Sequence, residues 1–484
     1  KWLVLVPMLL TCGVLAAVAS GQVIPTEVDF SAHLRAWDGF GVNYVEVAQT
    51  LDYDTDPQEY GGFSLLSEEE RREIVDLVFG EEGLKPGLVK LFLDSWHQAA
   101  PGASFDHEKT TRWMRHFVRE GLAATRARGG DLTLITTLYG PPPWATKQRF
   151  LRGRDLDPAR KEDLARYLID WVRYLREDQG FPVKYLSLHN EGEAKQRWPE
   201  DGASGNIGQG HDYNLYWPPA QVVDFLRLLR PMIDAAGLAE VGITPGETTK
   251  WLLFHDLGYA QAIAEDPVAL HNLGLITSHG FYSDKDRERT GPNRSQGTEL
   301  LRSKRPELHA WVTSTSWSKM DVFFLREMYE NIYVAGANGI IPWACIQRPP
   351  KWVGGDPNPG CAFEVTEDGD YEIKRGYYYY KQICRAGQPG MAVAKTSVEG
   401  DTLRLIAFAR NGSAHPDTFL ILNLSDAAKE VAVGVRGTAA TVFAAFRTSD
   451  AADRYAEAGT FRVADGVLRY EAPALSATTF YGKE

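Results

Sequence analysis

From residue 37 onward the chain repeats one pattern. A short β-branched or apolar run gives way to a cluster of polar and aromatic residues, and then to a stretch with apolar positions at helical spacing. The runs predict eight strands, at 37–44, 88–94, 132–138, 183–189, 240–244, 273–278, 308–313 and 339–343. Between them lie helix signals. Ser67 and Glu70 form a capping box ahead of Ile74, Val75, Leu77 and Val78. Asp157 followed by Pro158 opens another helix that continues through Leu164, Tyr167, Leu168, Trp171 and Leu175. Near-continuous apolar strands alternating with amphipathic helices predict a parallel sheet covered by helices. Eight such units predict an α/β fold, a closed (β/α)8 TIM barrel over 37–386. No Gly-rich phosphate loop follows the first strand, which counts against a dinucleotide fold.

After residue 390 the texture changes to short alternating strands, such as 403–409 and 418–423, separated by turn residues including Asn411-Gly412. This predicts a C-terminal β-sandwich over 387–484. Residues 20–36 read as a linker that can add a strand to it.

The first 19 residues form a secretory signal pattern: Lys1, an apolar run, then Ala17-Val18-Ala19. A secreted protein, extracellular or periplasmic, is therefore expected; the run is short and Gly-interrupted for a membrane anchor. The formal net charge of −12 argues against nucleic-acid binding, which relies on clustered Lys and Arg. Neither a cofactor nor a metal is expected, and a monomer is. Beyond the signal, Cys345, Cys361 and Cys384 remain. A Cys345–Cys361 disulfide and buried free thiols are both compatible with their spacing. The acidic stretch with Asp52, Asp54, Asp56 and Glu59 lacks the closing pattern of a calcium loop and reads as a loop over the cleft.

In a barrel of this kind function gathers at the C-terminal ends of the strands. Strand three runs into Pro142-Pro143-Trp144, strand four into His189-Asn190-Glu191-Gly192-Glu193, and strand five into Glu247. Strand six ends in His279 and Tyr282, strand seven in Ser314 to Trp317, and strand eight in Trp343, with Arg348 beyond. Of 13 Trp, seven (Trp96, Trp144, Trp198, Trp251, Trp317, Trp343 and Trp352) follow strand ends, and the sandwich has none. Indole faces suit the C–H surface of a pyranose, so a carbohydrate cleft is predicted, with Trp144, Trp317 and Trp343 binding sugar rings. His189 and His279 are expected to bind substrate hydroxyls rather than metal. Arg348 is a candidate for an acidic sugar group, with a surface ion pair as the plainer alternative. Glu191 follows an apolar strand, where partial desolvation suits a general acid, and Asn190 beside it can bond a sugar 2-hydroxyl.

These pieces resemble glycoside hydrolase clan A, and within it family 30. The resemblance rests on Gly39-Phe40-Gly41, Pro142-Pro143-Trp144, His189-Asn190-Glu191, His279 with Phe281-Tyr282, Trp311-Val312-Thr313, and Gly376 to Tyr380 leading into Gly387-Gln388-Pro389-Gly390. It implies a retaining hydrolase of β-linked glycans with Glu191 as acid/base and Tyr282 orienting the nucleophile. Glucosides, xylosides, fucosides, xylan, β-1,6-glucan and β-1,6-galactan all fall within it. One position departs from the pattern. The family carries Trp-x-Thr-Glu on strand seven, and this chain has Trp311-Val312-Thr313-Ser314, so serine stands where the nucleophile is expected. Three readings follow. One is a substituted nucleophile that traps substrate or makes bonds from an α-glycosyl fluoride. The second is a carbohydrate-binding pseudoenzyme. The third is an inverting enzyme using Glu46, Glu193 or Glu247 as base, which requires roughly 6.5–9.5 Å between carboxyls. The segment from Gly192 to Pro218, with Trp198, Tyr213, Tyr216 and Trp217, either blocks one end of the cleft or extends it.

Overall fold

The computed structural model describes residues 23–47, 53–55, 57, 59–151, 153–193, 215–348 and 360–483. The signal pattern, Trp198, Tyr213 and Trp352 lie outside the described residues. All eight barrel strands are present in chain order: β2 (Gly39–Asn43), β3 (Leu88–Leu93), β4 (Thr133–Leu138), β5 (Val183–Ser187), β6 (Gly242–Thr244), β7 (Ile276–Ser278), β8 (Ala310–Thr315) and β9 (Gly339–Pro342). They are preceded by β1 (Ile24–Ala36). The barrel strands are parallel, in the order β6-β5-β4-β3-β2-β9-β8-β7. The remaining gap is closed by the Ile243–Leu273 bridge, where Gly274 N–H donates to the Ile243 carbonyl at 2.8 Å.

The barrel interior is layered. Leu88, Ile135, Leu275, Trp311 and Ile341, with Tyr185 against them, form an apolar plug at the N-terminal end. Two residues further along each strand, and so on the same face by strand alternation, come Lys90, Thr137, Ser187, Thr277 and Thr313. The interior thus turns from apolar to polar toward the C-terminal ends. Gly41 is the narrow point: a Cβ there would lie 2.6 Å from Ile341 and 2.8 Å from Leu88.

Between barrel and sandwich lies a small sheet of β10 (Ile346–Gln347), β11 (Phe363–Val365) and β12 (Tyr371–Ile373). The sandwich strands are β13 (Ala392–Val398), β14 (Leu403–Ala409), β15 (Thr418–Asn423), β16 (Lys429–Arg436), β17 (Val442–Ser449), β18 (Ala456–Arg462), β19 (Val467–Ala472) and β20 (Ser476–Lys483). With β1 they make one nine-stranded sheet ordered β18-β17-β20-β15-β14-β13-β1-β16-β19. The sheet doubles over a core in which Val28, Phe30, Leu405, Phe419, Val433, Leu468 and Phe480 meet. Its other face, through Ile406, Phe408, Leu420 and Leu422, joins the barrel core. Trp37 at the barrel entrance sits 5.1 Å from the Phe408 ring, and Tyr333 on the helix Val322–Tyr333 donates to Ala394 O and accepts from Ala407 N–H, each at 3.0 Å. β1 runs through most of the segment 20–36 expected to add a strand, because register shifts after Asp29 and His33 let it keep pairing with β13.

Cys345, Cys361 and Cys384 are buried and unbridged. Among the described residues no helix is long and apolar enough to cross a membrane.

Gly41→Ala should destabilise the protein by about 1–3 kcal/mol, the range for overpacking a tight core. Urea unfolding measures this, and a variant as stable as the parent would contradict the steric reading of the Gly39-Phe40-Gly41 segment.

Candidate active site

Strands β5, β6 and β7 stay zipped together past their regular ends. Asn190 bridges to Glu247 and Thr248 to Ser278. Glu191 N–H donates to Glu247 O at 2.7 Å, and Glu247 N–H to His189 O at 2.9 Å. His279 N–H donates to Thr248 O at 2.8 Å. The side chains of 191, 247 and 279 are therefore carried on extensions of the barrel wall rather than on free loops.

Glu191 has φ +47°, in the left-handed region that an L-residue enters at roughly 1–2 kcal/mol. The conformation is held from both sides. Gly192 N–H donates to His189 Nδ1 at 3.0 Å, and Trp217 N–H donates to Gly192 O at 2.8 Å. The His189 ring stacks on Trp217 at 5.7 Å, and the ring leaves no room for a Cβ at Gly246. Burial pushes the His189 pKa down to about 3, so the ring is neutral and its Nδ1 accepts. The expectation that His189 binds substrate is corrected: it is enclosed, and it fixes the turn that presents Glu191.

From Glu191 a chain of contacts runs inward. His279 Nδ1 lies 3.0 Å from Glu191 Oε1, and His279 Nε2 lies 3.1 Å from Glu247 Oε2. Lys90 Nζ donates to that same Glu247 oxygen at 2.5 Å and to Thr313 O at 3.2 Å. Thr137 donates to the other Glu247 oxygen at 2.5 Å. Lys90 and Glu247 are both fully buried. Burial alone would raise the Glu247 pKa, but the Lys90 ammonium and His279 outweigh it and hold the carboxyl at about 2. Burial works against a charged His279 too, yet its hydrogen bonds to Glu191 and Glu247 raise its pKa. The inverting reading would use Glu247 as its base. With both oxygens committed inside the barrel, it instead anchors the cationic side chains.

Strand β8 carries a bulge at the nucleophile position. Val312 pairs with Ile340 and Thr315 with Pro342, so one extra residue is inserted on β8. Bulges beside active sites re-aim side chains. Ser314 lies buried within it, between Thr313, whose hydroxyl donates to Ser278 O at 3.3 Å, and Thr315, whose hydroxyl donates to Glu327 at 2.7 Å. Glu327 also accepts from Tyr282 N–H at 3.2 Å, and burial pushes its pKa up to about 7 against these two bonds. The Tyr282 hydroxyl lies 3.4 Å from that of Thr290.

Other expected site residues divide. Trp317 is fully enclosed, stacked on Phe324 at 5.0 Å with its indole N–H donated to Trp343 O, so it is core and not a sugar platform. Trp251 is likewise enclosed, bonded to Asn331 at 2.9 Å. Trp144 and Trp343 are 8% and 5% exposed; the first donates to Gln98 O, and the second packs against Tyr60, Phe92 and Tyr139. Arg348 makes a two-pronged pair with Glu367, at 3.0 and 2.5 Å, which occupies the guanidinium edge expected to meet an acidic sugar. Asn190 is buried beside Glu191. Among the candidate inverting bases, Glu46 accepts from the Trp113 and Met114 N–H groups at a helix start (2.7 and 2.9 Å) through Oε2, and Glu193 accepts from Thr249 N–H and hydroxyl (2.6 and 2.7 Å) through Oε1, while its Oε2 is buried without a hydrogen-bond partner.

Lys90, Thr137 and Glu327 are not among the residues that sequence reasoning singled out. Lys90 did carry a signal: one cation inside the apolar run Leu88-Val89-Lys90-Leu91-Phe92-Leu93 must be paired if the strand is buried.

Lys90→Met should cost about 3–5 kcal/mol by stranding the Glu247 charge, and adding Glu247→Gln should restore part of the loss. The Glu247 pKa is depressed on folding, so its stabilisation is complete above pH 4.5 and is lost as pH falls toward about 2. Urea unfolding across that window checks both effects. A Lys90→Met protein as stable as the parent, with an unchanged acid limb, would rule the ion pair out as an anchor.

No family model matches the chain, and a search of the curated proteins finds no match. Solved structures do match. A GH30 endoxylanase from Clostridium papyrosolvens C71 aligns at a TM-score of 0.66 and 15% identity, covering 95% of this chain and 100% of that one. The catalytic domain of GH30 xylanase C from Talaromyces cellulolyticus aligns at 0.69 and 15%, with coverage of 95% and 100%. The endo-β1,6-glucanase BT3312 aligns at 0.66 and 15%, with coverage of 95% and 94%. At this identity the common property is the fold, a (β/α)8 barrel with a fused β-rich domain over nearly the whole chain.

Proposed function

We propose that this protein is a secreted β-glycan-binding member of the retaining glycosidase architecture, with Glu191 as acid/base. The serine at 314 lets this chain bind substrate without completing double displacement. The observation that carries the reading is Glu191, presented by a fixed turn at the end of β5 against His279, in a barrel whose structural relatives include xylanases and a β-1,6-glucanase. A retaining reaction needs a second carboxylate close by to attack the anomeric carbon. The bulge on β8 occupies the place where the resemblance puts that group, and there the chain offers a hydroxyl. An unassisted serine hydroxyl is too weakly acidic to serve. Of the three carboxylates that an inverting reaction would draw on, Glu247 has both oxygens bonded inside the barrel, whereas Glu46 and Glu193 each accept through one oxygen.

A second reading, a carbohydrate-binding protein with no hydrolytic counterpart, is favoured by one observation. The Tyr282 hydroxyl lies 3.4 Å from that of Thr290, a bond that competes with the orienting role the resemblance expects for it. Ser314→Glu separates the two. The first reading expects the revertant to hydrolyse aryl β-glycosides or members of a panel containing xylan, β-1,6-glucan and β-1,6-galactan. It also expects Glu191→Gln in that background to lose roughly 10²–10⁴-fold in rate on substrates with poor leaving groups. A revertant that binds glycan and cleaves none of the panel establishes the second reading. Absence of both binding and cleavage rejects both.

A further inference from the structure

The loop between β3 and the helix Arg112–Ala127 carries two buried histidines that belong to no part of the Glu191 chain. His97 and His107 face each other with their Nδ1 atoms 2.8 Å apart. The other nitrogen of each ring meets an aspartate. His97 Nε2 lies 3.1 Å from Asp94 Oδ2, and His107 Nε2 lies 3.0 Å from Asp170 Oδ1. Asp94 directly follows β3, whereas Asp170 sits on the helix Lys161–Arg173. The row Asp94–His97–His107–Asp170 therefore ties the loop to that helix. Both rings and Asp94 are buried, and Asp170, with its side chain 30% exposed, is the end that reaches water.

The number of protons fixes the state of the pair. Each of the three links needs one hydrogen, and two neutral imidazoles carry two. The third has to be added. An imidazole outcompetes a carboxylate for a proton by about two pH units in ordinary surroundings. The extra proton therefore sits on a ring, and the pair is one imidazole and one imidazolium. Its neighbours agree with a single positive charge. Asp94 is held as an acceptor by the Thr110 hydroxyl at 2.6 Å and by Trp96 N–H at 2.8 Å. On the helix side Arg173 pairs with Asp170 at 3.3 Å. The phenols against the rings stay un-ionised, since burial raises the Tyr167 pKa above its ordinary value and pushes that of Tyr174 up to about 12. Arg115 and Glu108 meet the ring and hydroxyl of Tyr174. A second extra proton is resisted: burial lowers the His107 pKa, and His97 adds to this against the pull of Asp170. Once bound, that proton would set one N–H against another across the 2.8 Å gap.

We propose that the pair is a one-proton latch, closed over a window of pH, that fastens the loop after β3 to the helix Lys161–Arg173. Above the window the shared proton leaves by way of Asp170 and one link opens. Below it a second proton breaks the middle link. The lowered His107 pKa gives the sign on the acid side: the stabilisation by the uncharged ring is full above the unfolded value and is lost as pH falls. The same loop holds Trp144, whose indole N–H donates to Gln98 O at 3.0 Å, so the latch sets how firmly that tryptophan is anchored. It is independent of what the cleft binds. Hydrogen exchange over residues 95–111, corrected for its intrinsic pH dependence and referred to the amides of β15, reads the latch directly. Protection in the parent protein should trace a bell in pH and fall about tenfold on each side, the scale of one lost hydrogen bond. Asp170→Asn should keep the acid limb and lose the alkaline one, because the amide donates to His107 Nε2 and completes the row without the extra proton. A parent profile without a maximum, or an Asp170→Asn profile that does other than lose its alkaline limb alone, overturns the latch.

Discussion

A buried lysine on an apolar strand must be neutralised, and that requirement organises the centre of this barrel. Lys90 lies one layer above the apolar plug, out of reach of water, so a carboxylate has to be brought to it. Glu247 supplies it from three strands away in the barrel order. Delivering Glu247 takes the continued pairing of β5 and β6 past their regular ends, and that same pairing fixes the backbone of Glu191. His279 completes the arrangement by bonding both glutamates through its two ring nitrogens. The acid/base candidate is thus coupled to the core of the barrel through one imidazole and one ion pair, and its position is a property of the fold.

The same organisation bears on the serine at 314. Lys90 also bonds the carbonyl of Thr313, so the bulge of β8 is tied to the charged chain at its base. Beyond the bulge, Thr315 and the Tyr282 backbone converge on Glu327, which is buried on the following helix. The ground on either side of 314 is ordered. What the chain lacks at 314 itself is a carboxylate.

Much of the fold was legible because strands buried on both faces read as unbroken apolar runs, and those at 88–94 and 132–138 match β3 and β4 to within a residue. Shorter strands such as β6 and β7 were overestimated, since the flanking apolar residues Val241 and Leu275 are buried without joining the ladder. The place of Glu191 at the end of β5 was legible from Asn-Glu after a strand. The Lys90–Glu247–His279 chain was not, because it joins residues far apart in sequence and only closure of the barrel brings them together. Trp317 misled for a related reason: position after a strand end does not say which way a ring turns, and here it turns into Phe324 and Tyr380. His189 looked like a ligand to substrate, whereas in the tight turn at 189–192 its ring Nδ1 accepts from the Gly192 N–H.

The most direct test is a crystal structure of the parent protein with an intact β-glycan oligosaccharide. The account predicts an uncleaved chain whose glycosidic oxygen lies within hydrogen-bond distance of Glu191, with the anomeric carbon on its far side facing the β8 bulge at Ser314. A bound glycan that avoids Glu191, or one cleaved in the parent protein, would contradict it.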